Sequence, residues 1–185
     1  MPLQAPMFRL CLVLVAAAGF AISAAAQQIP HTEAKSLTDR PIVVPVPGAT
    51  KPLVVIIAFS SKGGDDSGAW NKAFHLRYET DPRIDYVELA DFQGVPSFVM
   101  GMIMHGMRRS VHEPEKSHLA PFFSQEDTWK RVVSFKDPKV AYVLLADPSG
   151  RIVWQTSGPA SDAKVAALEA AITDLVSHTG SHGTR

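Results

Sequence analysis

Seven consecutive apolar residues, Leu53–Phe59, constrain this chain more than any other feature. Four of the seven are β-branched (Val54, Val55, Ile56, Ile57). A strand with no polar face is buried on both sides, and such strands belong to parallel sheets covered by helices front and back. The rest of the chain must therefore supply helices for two faces.

The pattern downstream does so. After a loop at 60–66, Trp70, Phe74 and Tyr78 recur at i, i+4, i+8 and predict a helix over 67–79, ended by Pro82. Ile84–Leu89 reads as a second strand. Pro96 opens a second helix, which runs to Arg108-Arg109. A polar stretch follows at 112–118, then a short optional strand at 119–123 and a helix over 125–133 that contains Trp129. Val140–Ala146, the turn Asp147-Pro148-Ser149-Gly150 and Arg151–Thr156 form a terminal hairpin. Ser161 caps a last helix with Val165, Leu168, Ile172 and Leu175 on one face. Alternating β and α units imply an α/β fold with right-handed crossovers, and the hairpin makes its sheet mixed.

The only cysteine, Cys11, lies in a segment that reads as a secretory signal peptide over 1–26. One basic residue (Arg9) precedes an apolar run over 10–22, and Ala24-Ala25-Ala26 supplies a small-residue exit. That run is too short to span a bilayer, which takes roughly 20 residues. Cleavage near Ala26 leaves a chain of about 159 residues with no thiol and no disulfide. The expected location is exported, periplasmic or secreted. Residues 27–51 carry Pro30, Pro41, Pro45 and Pro47 and read as an extended tether, with at most a weak edge strand over Ile42–Val46. The domain is expected over 52–178, with a polar tail at 179–185. Without Arg9 the chain has 17 basic and 18 acidic residues, so no global charge draws it to nucleic acid.

The element order and the late sequence AYVLLADPSGRIVWQTSG (141–158) resemble the thioredoxin fold, including its peroxiredoxin-like variant: a mixed central sheet, helices on both faces, and a terminal β-hairpin with a C-terminal helix. A narrower resemblance is to the thioredoxin-like family of mitochondrial ATP synthase assembly chaperones and their bacterial relatives. It rests on Met107-Arg108-Arg109, Trp129, Tyr142-Val-Leu-Leu and Gly150-Arg151-Ile-Val-Trp154. Those proteins also lack a redox cysteine pair. The resemblance implies a chaperone or scaffold role at a membrane complex.

In that fold the reactive cysteines stand where the first long helix begins, since amide dipoles there lower a thiol pKa. The matching positions are Gly63, Gly64, Asp65 and Asp66, a degenerate redox site. Asp65 and Asp66 are expected to cap the helix. Gly63-Gly64 lacks the Gly-Lys-Ser/Thr of a phosphate loop, and the sequence calls for no cofactor. Thiol–disulfide exchange and peroxidase chemistry are not expected without a cysteine, and no catalytic residue is assigned; an enzyme of unrecognised, cysteine-independent chemistry on the same fold stands as an alternative. Attention passes to the second helix, where Met100, Met104 and Met107 share a face. Three readings of it stand. A helix apolar nearly all round is buried core. A methionine-rich face is an adaptable partner surface, here with Arg108 and Arg109, that binds a protein associated with a membrane. Soft thioethers at Met100, Met104 and Met107 hold Cu(I).

Overall fold

The computed structural model describes residues 27–78 and 80–180. The leader at 1–26 and its Cys11 lie outside the described residues, as does the tail from 181. The elements are β1 (Thr32–Lys35), β2 (Pro41–Val44), β3 (Leu53–Ala58), α1 (Ser61–Tyr78), β4 (Asp85–Asp91), α2 (Ser97–Ser110), α3 (Glu113–Lys116), β5 (Leu119–Phe122), α4 (Glu126–Val132), β6 (Tyr142–Ala146), β7 (Ile152–Ser157) and α5 (Asp162–Gly180).

The apolar run is the centre of the molecule. All six residues of β3 are buried. It lies third in a five-stranded sheet of order β5-β4-β3-β6-β7. β3, β4 and β5 are parallel, while β6 pairs antiparallel with both β3 and β7. The sheet is thus mixed, with the expected optional strand closing one edge. Alternate β3 residues feed two cores. Val54 and Ile56 pack with Trp70 and Phe74 of α1 and with Val165, Leu168 and Ile172 of α5. Val55 and Ile57 pack with Trp129 and Val132 of α4 and with Ile29 and Val44 from the N-terminal stretch. The helices therefore cover both faces.

Residues 27–51 are not a tether. β1 and β2 form an antiparallel pair in register Thr32↔Val44 to Lys35↔Pro41. Ile29, Leu37 and Val44 are buried. The Leu37 amide donates to the carbonyls of Lys116 and Leu119, at 3.1 and 3.0 Å. The Ile152 amide donates to the Gln27 carbonyl at 2.8 Å, and the Ile29 amide to the Gly150 carbonyl at 3.0 Å. The prolines are compatible with this because Pro41 sits at the start of an edge strand, where no ladder N–H is required. The apolar residues between the prolines decide the outcome: three side chains can be buried only by folding the segment onto the domain.

α2 is the second departure. No residue of it is buried. Phe98 is 85% exposed and Met102 72% exposed. The reading of α2 as core therefore fails. A helix apolar on every side needs partners on every side, but the inner residues Ile103 and Met107 of α2 face α1 and β4 across an open cleft, and Phe98 and Met102 are left in solvent.

Candidate functional site

α1 begins at Ser61, six residues earlier than its sequence suggests. Gly63, Gly64, Asp65 and Asp66 thus lie within its first two turns and not in a loop ahead of it. Ser60 is the cap: its Oγ accepts the Gly63 N–H at 3.1 Å. The expectation that Asp65 and Asp66 cap the helix is corrected accordingly. Asp65 is exposed and pairs with Lys62 at 3.0 Å.

The Ser60 hydroxyl also donates to the Pro138 carbonyl at 2.5 Å. A Cβ on Gly63 would stand 3.0 Å from both the Pro138 and Val140 carbonyl oxygens. The start of α1 is therefore latched against the loop before β6, and the latch closes over Gly63, the first of the positions expected to match a redox site. No sulfur is present there, and a side chain at 63 has no space.

Behind this latch lies a cleft of about 710 Å³ between α1, the end of β4 and α2. It opens at the carboxyl ends of the parallel strands, the usual place for a ligand in an α/β sheet. Phe59, Ile103 and Met107 give it apolar walls, and Ser67 and Glu88 lie at its floor. Glu88 is buried in the middle of β4, where Ser67 Oγ donates to one of its carboxylate oxygens. Asn71 Nδ2 donates to the other at 2.6 Å. Burial pushes the Glu88 carboxyl above its usual range; the hydrogen bonds from Ser67 and Asn71 oppose this, and the Glu115 carboxylate adds to it. Asp91, at the cleft's rim, is also pushed up by burial, against a hydrogen bond from the Gln93 amide.

Sequence reading missed Glu88, although a signal was present. It is an acidic residue inside an otherwise apolar strand, and buried acids occur only with dedicated partners. Those partners, Ser67 and Asn71, are one helical turn apart on α1. They become visible only once α1 is packed on β4.

The three methionines do not line one site. Met107 lines the α1–α2 cleft, whereas Met104 lines a separate groove of about 460 Å³ against the N-terminal hairpin. Met100 lines neither. This geometry gives Cu(I) binding no support. Arg108 borders the second groove and clasps the hairpin: Nε donates to the Leu37 carbonyl and Nη2 to Asp39 Oδ1, both at 3.1 Å. Arg109 is exposed. What α2 offers outward is a stripe of Phe98, Met102, His105 and Arg109, at i, i+4, i+7 and i+11, apolar at one end and cationic at the other.

A family model described as ATP10 protein matches residues 27–175. The chain belongs to the ATP10 protein family. The match begins at Gln27, so the family domain includes the N-terminal hairpin. Membership supports an assembly or binding role for a protein partner, in keeping with the narrower resemblance of its sequence. A search of curated proteins finds no match. Among solved structures, a putative thiol:disulfide interchange protein DsbE from Chlorobium tepidum is 15% identical, with 82% of this chain and 96% of that one covered, at a TM-score of 0.56. A putative protein disulfide isomerase from Bacteroides thetaiotaomicron is 11% identical, with 85% and 92% covered, at 0.57. BsSco, a member of the Sco family of cytochrome c oxidase assembly proteins, is 6% identical, with 80% and 95% covered, at 0.52. These likenesses show the thioredoxin-like fold across nearly the whole of each neighbour.

The buried carboxyl makes one prediction about pH. The folded-state pKa of Glu88 lies above its ordinary value of 4.5, so the folded protein keeps this proton to higher pH than the unfolded chain does. Its stabilising contribution is complete below the unfolded pKa and is lost as pH rises through the folded one. Glu88→Gln keeps an oxygen for Ser67 and removes the charge. The difference in unfolding free energy between variant and parent, from urea melts at pH 4 to 8, is expected to move in the variant's favour as pH rises. A difference that stays flat across this range would refute the assignment.

Proposed function

We propose that the protein is an exported assembly factor that holds a membrane-associated protein partner through α2 and performs no thiol chemistry. The carrying observation is α2 itself, a helix with no buried residue that displays Phe98 and Met102 to solvent. Exposed large apolar side chains that recur on one helix face mark a partner surface. The closed latch at Gly63 and the absence of any cysteine beyond position 11 agree with a fold used for binding. The leader-like segment at 1–26 supports export. The ATP synthase is the membrane complex to which the family resemblance points.

The test is recovery of the partner from detergent-solubilised envelope membranes with tagged protein, comparing the parent with Phe98→Asp/Met102→Asp. The double variant is expected to lose at least tenfold in recovery, since interface aromatics typically contribute about 2 kcal/mol or more. Its unfolding free energy should stay within about 0.5 kcal/mol of the parent, because neither side chain is buried. Undiminished recovery, or no membrane protein recovered with the parent, would sink the proposal.

A further inference from the structure

The α1–α2 cleft has a chemistry of its own. Three of its lining side chains are carboxylates (Glu88, Asp91 and Glu126), and none is basic. Lys130 answers two of them, through its ion pair with Glu126 and its attraction for Asp91. Among the described residues no cation forms an ion pair with Glu88. Glu88 is only 7% exposed, yet it lines the open cleft. A carboxylate accepts about four hydrogen bonds, and Ser67 and Asn71 use two. The remaining acceptor positions suit a fork of N–H donors. A buried carboxylate without a counter-ion is costly, and a cation entering the cleft removes that cost. Neutral donors already serve Glu88 from α1, so what the site lacks is positive charge. Above the carboxylate, Ile103 and Met107 of α2 and Phe59 form walls suited to an aliphatic stem.

We infer that this cleft receives one basic side chain, arginine or lysine, from the protein partner, with its charged head on Glu88 and its stem between Phe59 and α2. The inference rests on the reading of α2 as the docking helix. Ile103 and Met107 lie on the inner side of that same helix, so a segment docked along α2 needs to send only one side chain around it. The wider charge balance agrees. The chain carries no acidic residue from Phe92 to His112, so the attraction for a cation is confined to the cleft floor and rim.

The experiment has two arms. In the first, hexylguanidinium chloride is titrated into the protein and followed by backbone amide NMR, with hexanol and hexanoate as controls. Saturable shifts are expected at Glu88, Ile103 and Met107 at millimolar probe, with a concurrent move of the Glu88 carboxyl carbon. Glu88→Gln should weaken the binding at least tenfold. The inference is overturned if the probe gives no saturable shift, if hexanol matches it, or if Glu88→Gln binds it equally well. In the second arm Glu88→Gln is carried through the membrane recovery described above. A drop of at least fivefold is expected. Probe binding with unchanged partner recovery would mean that the cleft takes a free cation, which overturns the assignment to a partner side chain. The two readings fail separately. Loss of recovery in Phe98→Asp/Met102→Asp but not in Glu88→Gln leaves the α2 proposal standing and removes this one.

Discussion

Trp129→Ala is expected to lower the unfolding free energy by about 3–5 kcal/mol, the usual cost of emptying a large aromatic site in a core. Trp129 is completely buried on α4, and its indole N–H donates to Thr32 Oγ1 of β1 at 3.0 Å. The ring packs in the core that also holds Ile29 and Val44. Removing it therefore opens a cavity and releases the N-terminal hairpin at once. For a domain of this size the melting temperature should fall by roughly 6–20 °C. Trp129→Phe separates the two effects. It keeps most of the ring and removes the indole N–H; Thr32 Oγ1 retains its donation to the Pro30 carbonyl. The loss should then include about 1 kcal/mol for the hydrogen bond and a smaller packing term. Hydrogen exchange in Trp129→Ala should lose protection in β1 and β2 before β3. A loss below 1 kcal/mol, or unchanged exchange in the hairpin, would mean that residues 27–51 are held by other contacts.

That hairpin shows where the sequence was legible and where it was not. β3 was readable because a run with no polar face has one plausible environment. The terminal hairpin was readable because Asp147 and Gly150 bracket a turn between two apolar runs. There the Asp147 side chain accepts the amides of Ser149 and Arg151, at 2.9 and 3.0 Å. α5 was readable from its cap and its 3.6-residue stripe. In contrast, β1 is short and polar, with only Thr32 buried along it. Four prolines around it dominated the reading, and its signal was the spacing of Ile29, Leu37 and Val44 on the two sides. The start of α1 was hidden because Gly63 and Gly64 oppose helix formation, so a loop was the better local reading. The burial of α2 was misjudged because composition reports that a helix needs partners, not whether the same chain supplies them. The Glu88 cluster joins residues 21 and 17 apart in sequence, and no local pattern contains it.

Gly63 yields the second large effect, with a sign opposite to the one its helix suggests. Within a helix, replacing glycine with alanine ordinarily stabilises by up to about 1 kcal/mol, because alanine loses less backbone entropy on folding. Gly63 lies in α1 and is buried, and the added Cβ meets two backbone carbonyl oxygens at 3.0 Å. Backbone cannot turn aside as a flexible side chain can. The loop 138–140 must move away from α1 or the first turn of α1 must unwind, and either breaks the Ser60–Pro138 hydrogen bond. Overpacking of this kind costs about 1–3 kcal/mol. Gly63→Ala is therefore expected to destabilise by about 1–3 kcal/mol. Gly64→Ala, one residue on and with nothing within 4 Å of its added Cβ, should be neutral or stabilising. Paired urea melts decide the matter. A Gly63→Ala variant as stable as Gly64→Ala would show that the helix start and the loop are not latched. Position 63 would then have room for a side chain. If the predicted contrast is found, the latch leaves no room for a cysteine at 63. A side chain there is excluded by the backbone of the neighbouring loop, whatever its chemistry.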